Sequence, residues 1–124
     1  MTELTRDLAD AVGDAFNAMD IDAVMQYFAE DCIFDHADGP DPCGVRLDGL
    51  ETIRGAFQGL FNKVENVHWE TLDCRISGDK AYCEYRKTVA HKDGSAEDYH
   101  SVDILTFREG LIVHKDTYFK QRTS

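Results

Sequence analysis

An imidazole, several carboxylates and a lysine, carried by two separated stretches, are the residues from which chemistry could be built in this chain. The stretch YFAEDCIFDHADGPDPCGVRLDGLETIRGAF, residues 27–57, holds Asp35 and His36, and VDILTFREGLIVHKDTYFK, residues 102–120, holds Asp103 and Lys115. Their ionisable groups are expected to meet inside a pocket, where a modest pKa shift becomes chemistry. His36 is the candidate general base. An unperturbed pKa of ~6.5 suits proton abstraction near neutrality, and neighbouring carboxylates would raise that basicity. The competing reading is a strand-end histidine that caps the carbonyls of the adjacent loop. Asp35 is a candidate to orient His36 or to bind ligand, although adjacent strand residues point to opposite faces.

Other chemistries find less support. His91, His100 and His114, taken with Asp35 and His36, show neither an i, i+4 pair nor a facial triad, so no metal is expected. Cys32, Cys43, Cys74 and Cys83 form no CxxC. If Gly78-Asp79 makes a two-residue hairpin turn, Cys74 and Cys83 fall opposite each other, and reduced buried thiols are favoured over a disulfide. Gly-rich phosphate loops and serine or cysteine nucleophile motifs are absent, and no cofactor is expected.

These residues need elements to position them. Leu4, Leu8, Ala11, Val12, Ala15, Phe16 and Met19 recur at helical spacing and predict a first helix from about Thr2 to Met19. Asp20 and Asp22 can accept from the free N–H groups of a second, carrying Ala23, Val24, Tyr27 and Phe28. Residues 32–36 read as a short strand, and 37–47, with both prolines, as an ordered loop or lid. Asp48 with Glu51 resembles a capping box opening a third helix through Leu50, Ile53, Phe57, Leu60 and Phe61. From Val67 the period changes to two. Gly78-Asp79, Asp93-Gly94 and Glu109-Gly110 divide four long strands of an antiparallel meander. Helices followed by strands indicate an α+β domain, and a twisted sheet curling around helices leaves a concave ligand site.

Composition narrows the partners. A chain of 124 residues with 43% hydrophobic content fits one domain, residues 1–124. A net charge of −11, dispersed along the chain, argues against nucleic acid or an anionic membrane. No apolar run approaches the ~20 residues of a membrane span, and MTELTRDLADAV lacks the pattern of a secretory signal, so a cytoplasmic location is expected.

The order of elements, together with YFAEDCIFDH, LDGLETIRGAF and VDILTFREGLIVHKDTYF, resembles the nuclear transport factor 2-like superfamily over nearly the whole chain. Within it the chain is most similar to the ketosteroid isomerase and SnoaL-like polyketide cyclase branch. The resemblance implies a cone-shaped, curved antiparallel sheet wrapped around N-terminal helices, a cystatin-like roll. It places His36 where the isomerases carry a catalytic carboxylate base and Asp103 on their oxyanion-hole aspartic acid. Their oxyanion tyrosine aligns with Val12, so that donor is missing and true ketosteroid isomerisation is not expected.

With Asp103 inward, strand alternation turns Ser101, Leu105 and Phe107 inward as well. The resemblance places Phe119 inward, which adds Thr117, Lys115 and Val113 and leaves His114, Asp116 and Tyr118 outside. Lys115 and Asp103 then lie on adjacent strands within reach of an ion pair, either neutralising two pocket charges or steadying developing oxyanion charge. Phe16, Tyr27 and Phe119 are the expected cavity walls, with Ser101, Thr117 and Asp35 as polar ligand contacts. The expected function is a cofactor-independent isomerase, cyclase or dehydratase for a small hydrophobic carbonyl compound. Alternatives are a non-catalytic ligand-binding or dimerising module and, more weakly, an epoxide hydrolase. A homodimer packed through the outer sheet face is implied.

Overall fold

The apolar stripe that begins at Leu4 folds as α1, Arg6–Asn17, in the computed structural model of the protein, which describes residues 3–123; the predicted start at Thr2 lies outside them. Thr5 caps the helix by accepting from the Leu8 N–H at 3.2 Å, and Ala9, Val12, Ala15 and Phe16 are its buried face. Asp20 does the same for α2, Ile21–Met25, accepting from the Ala23 N–H.

The next stretch departs from expectation. The short strand is part of β1, Phe28–Asp41, and the predicted loop or lid is instead a hairpin with β2, Gly44–Asp48. Val45 and Leu47 pair with His36 and Phe34, so the loop-forming prolines are confined to the tip. Gly44 is required there: at φ +86 a Cβ would stand 1.8 Å from the His36 carbonyl oxygen. The capping box does not form, because Asp48 still pairs with Ile33 in the sheet. Gly49, at φ +90, turns the chain into α3, Leu50–Lys63, and donates its N–H to the Cys32 carbonyl.

The four-strand meander follows as β3, Val64–Ser77, β4, Lys80–His91, β5, Ala96–Arg108, and β6, Leu111–Phe119. Gly78 at φ +61 leads the first turn, while Glu109 and Gly110 both take positive φ in the last. The sheet order is β2-β1-β6-β5-β4-β3. Its pairs are antiparallel apart from β1 with β6, which run parallel and are joined by a long connection through β2, α3 and the first three meander strands. The curved sheet stays unclosed and wraps α1 and α3. A core of Val12, Phe16, Phe28, Phe34, Ile53, Phe57, Val67, Leu105 and Ile112 fills the contact. Cys74 and Cys83 are register partners within this layer, and their free sulfurs lie 3.0 Å apart.

Candidate active site

Each strand sends alternate side chains to its concave face, and toward one end of the sheet these are polar. β1 supplies His36 beyond Phe34, β4 Lys87, β5 Ser101 and Asp103, and β6 Lys115, Thr117 and Phe119. Phe16 of α1, with Phe57 and Leu60 of α3, faces them across a cavity of about 520 Å³. A second hollow of about 20 Å³ lies beneath, between Val12, Phe16, Tyr85, Asp103 and Lys115, with room for about one water.

The charged centre is a three-membered network. Asp103 and Thr117 are register partners, and Lys115 is two residues from Thr117 on the same face. The Lys115 ammonium donates to Asp103 Oδ1 at 3.2 Å and to Thr117 Oγ1 at 2.7 Å; the Thr117 hydroxyl donates to the same Oδ1 at 2.6 Å. Asp103 and Lys115 are each only 7% exposed, so water screens the pair less than it would at the surface. The ammonium also sits 4.6 Å from the centre of the Phe34 ring. Two of its three N–H donors are committed, which leaves one for a bound oxygen.

Phe16, Ser101, Thr117 and Phe119 line the cavity, and His36, Asp103 and Lys115 converge on it. Two expected ligand contacts do not. Tyr27 is packed against the core at the far end of β6, where its carbonyl accepts from Ile112 N–H. Asp35 follows the strand alternation to the convex face, buried beneath a bidentate Arg46 at 2.8 and 2.9 Å and 2.8 Å from His114 Nε2. Asp35, His114 and Asp116 could together hold a metal ion, but Arg46 and His114 already occupy both Asp35 oxygens.

His36 is exposed at the mouth of the cavity, and its basicity is changed in the opposite direction to that expected. Partial burial, reinforced by Lys115 and Lys87, lowers its pKa below the usual histidine value. The Asp38 N–H donates to Nδ1 at 3.2 Å, which assigns the proton of the neutral ring to Nε2. His36 therefore presents a donor to the cavity in this state.

Three residues of the site escaped the sequence reading. Lys87 lies on the concave face between its register partners Trp69 and Tyr99, 5.2 and 5.7 Å from their ring centres. Burial and then Lys115 push its ammonium down to about 8, against the opposing pull of Asp103 and Glu97. Trp69 is a cavity wall anchored by Asn17, which exchanges two hydrogen bonds with its backbone. Tyr85, also on β4, brings a phenol toward Asp103; burial first, then the Asp103 and Cys83 charges, push its pKa far up and keep it protonated. It stands where the absence of a tyrosine at Val12 had left no phenol. Alternation along β4 held the signal: Ala81, Cys83, Tyr85 and Val89 are buried, and Lys87 shares their parity.

The comparisons agree with this architecture. A structure from Catenulispora acidiphila described as having a ketosteroid isomerase-like fold, in complex with trimethylamine, superposes with a TM-score of 0.79 at 23% identity, covering 93% of this chain and 86% of that one. An NTF2-like protein of unknown function from Burkholderia pseudomallei gives 0.81 at 18%, covering 92% and 88%. A candidate polyketide cyclase from Sinorhizobium meliloti gives 0.73 at 21%, covering 92% and 95%. At these identities the likeness establishes the fold. No curated protein matches the sequence. The model of the SnoaL-like domain matches residues 9–115, from within α1 to Lys115 itself, and the chain belongs to that family.

Proposed function

We propose that the cavity binds a small hydrophobic carbonyl compound and moves a proton on it without a cofactor, as an isomerase, cyclase or dehydratase would. The observation that carries this reading is the buried Asp103–Thr117–Lys115 network opening on an aromatic-walled cavity. Asp103 and Thr117 hold the Lys115 ammonium in place, and its remaining N–H binds the carbonyl oxygen and stabilises the charge that grows there on enolisation. His36 at the mouth is the proton-transfer group. As a base it must first release the Asp38 amide, and until then it serves as an Nε2–H donor. A homodimer through the convex sheet face belongs to the same reading.

The test is solvent exchange of the α-protons of 2-tetralone and 1-indanone, followed by NMR in deuterium oxide. The native protein is expected to accelerate exchange over buffer. Lys115→Met is expected to remove about 100-fold or more of that acceleration, and His36→Ala a factor on the order of 100. Acceleration that survives both substitutions overturns the assignment. A second reading, binding without turnover, is favoured by the tie between His36 and Asp38. It predicts that these ketones bind and perturb cavity resonances while exchange stays at the buffer rate.

A further inference from the structure

We infer that Lys87 is a nucleophilic amine that captures an aldehyde or ketone as a Schiff base inside the cavity. The inference rests on the reading that the cavity admits carbonyl compounds and adds a covalent step to it.

Four features of the structure lead there. Lys87 is a cavity-lining residue with its stem buried among the inward side chains of β4. Among the described residues no carboxylate lies within 4 Å of its nitrogen, although the other cavity ammonium, Lys115, is paired with Asp103. Trp69 and Tyr99 flank it from the neighbouring strands and offer their ring faces. Lys115 adds like-charge repulsion from β6. A desolvated lysine beside a second cation is the arrangement that frees an amine lone pair near neutrality.

The groups facing Lys87 from the surrounding elements set the balance. Lys115 on β6, Lys63 on α3 and His36 on β1 bring positive charge or its potential. Asp103 and Glu97 on β5, and Asp38 on β1, bring negative charge. Two of these carboxylates are engaged elsewhere: Asp103 with Lys115 and Thr117, and Glu97 with His91 at 2.6 Å. Burial is the largest influence, and with Lys115 it outweighs Asp103 and Glu97 to bring the Lys87 pKa down to about 8.

The chemistry balances without a redox partner. The Lys87 Nζ lone pair adds to the carbonyl carbon, and the C=O π pair moves to oxygen, which takes up the proton shed by nitrogen to give a carbinolamine. The oxygen then departs as water with one proton from solvent, while the nitrogen lone pair forms the C=N bond of an iminium cation. The aromatic faces that accommodate the ammonium accommodate this cation equally. The iminium withdraws electrons from the neighbouring C–H bond, and later addition of water returns the amine and the carbonyl product.

The experiment is reductive trapping of the native protein with benzaldehyde and sodium cyanoborohydride, read by site-resolved peptide mass spectrometry. At pH 7.5, Lys87 is expected to be alkylated at least about tenfold faster than the exposed Lys92 and Lys120, because a larger fraction of its amine is neutral. Its rate should rise toward a half-maximal point near pH 8. Excess 2-tetralone should slow labelling at Lys87 and leave Lys92 unchanged. Lys87→Arg should lose the fast-labelled site. Labelling of Lys87 no faster than Lys92, or fast labelling confined to Lys115, overturns the inference. The two proposals fail separately. An adduct at Lys87 without α-proton exchange refutes the proton-transfer reading alone, and exchange that persists in Lys87→Arg with no fast adduct in the native protein refutes the Schiff base alone.

Discussion

At the scale of single residues, the division between the two faces of β1 decides what each carboxylate does. Asp35 and His36 are neighbours in sequence, yet one is buried under Arg46 and His114 on the convex face and the other opens on the cavity. Arg46, aided by His114, holds the Asp35 carboxyl below the usual carboxylate range against the opposing effect of burial. A carboxyl whose folded pKa lies below the unfolded value of ~3.9 stabilises the fold above that value and loses the contribution as the pH falls through the folded pKa. Asp35→Asn is therefore expected to cost roughly 1–3 kcal/mol at pH 7. The gap to the native protein in urea unfolding should narrow as the pH is taken below 4. An undiminished gap at low pH would show that the cost is one of packing and that the ion pair contributes nothing.

At the scale of elements, the β3–β4 hairpin is where sequence reading was most exact. Gly78-Asp79 sets the register, which makes Cys74 and Cys83 partners, and Cys83 in turn pairs with Asp103 on β5. Burial pushes the Cys83 thiol up to about 12, so the thiolate needed for oxidation or alkylation is scarce at neutral pH. Iodoacetamide at pH 8 is expected to modify the half-buried Cys43 in the native protein and to reach Cys74 and Cys83 only on unfolding, as followed by mass spectrometry. Rapid native labelling of Cys83 would contradict the packing of this hairpin. The β1–β2 arm shows the opposite case. Prolines and glycines read as a loop because turn chemistry dominates a local window, whereas pairing of Val45 and Leu47 with β1 is decided by the partner strand.

At the scale of the whole molecule, the convex face is the surface left without a covering layer among the described residues. Tyr82 stands opposite Ile104, and Val102 opposite Tyr118, across β4, β5 and β6; Tyr82 is 39% and Tyr118 57% exposed. An apolar strip of this kind suits an isologous contact with a second copy. Light scattering is expected to give twice the 14.0 kDa chain mass, and Tyr82→Lys combined with Tyr118→Lys should return the monomer. A native protein that runs as a monomer at high concentration would leave that face without this role. No helix among the described residues is long and apolar enough to cross a membrane.

By itself the amino-acid sequence determined the order of the three helices and of the four meander strands, the meander turns, and the inward parity of Ser101, Asp103, Lys115, Thr117 and Phe119 once the family resemblance had oriented two strands. These features are short-range: a helix or a strand stamps its period on neighbouring side chains, and a turn needs only a residue that tolerates positive φ. Tertiary structure alone decided that Tyr27 packs against the core away from the cavity, that β2 pairs with β1, and that Lys87 comes to rest between Trp69 and Tyr99. Those outcomes depend on sheet curvature and on which strands become neighbours, and such long-range terms arise from the packing of the entire chain rather than from any local window.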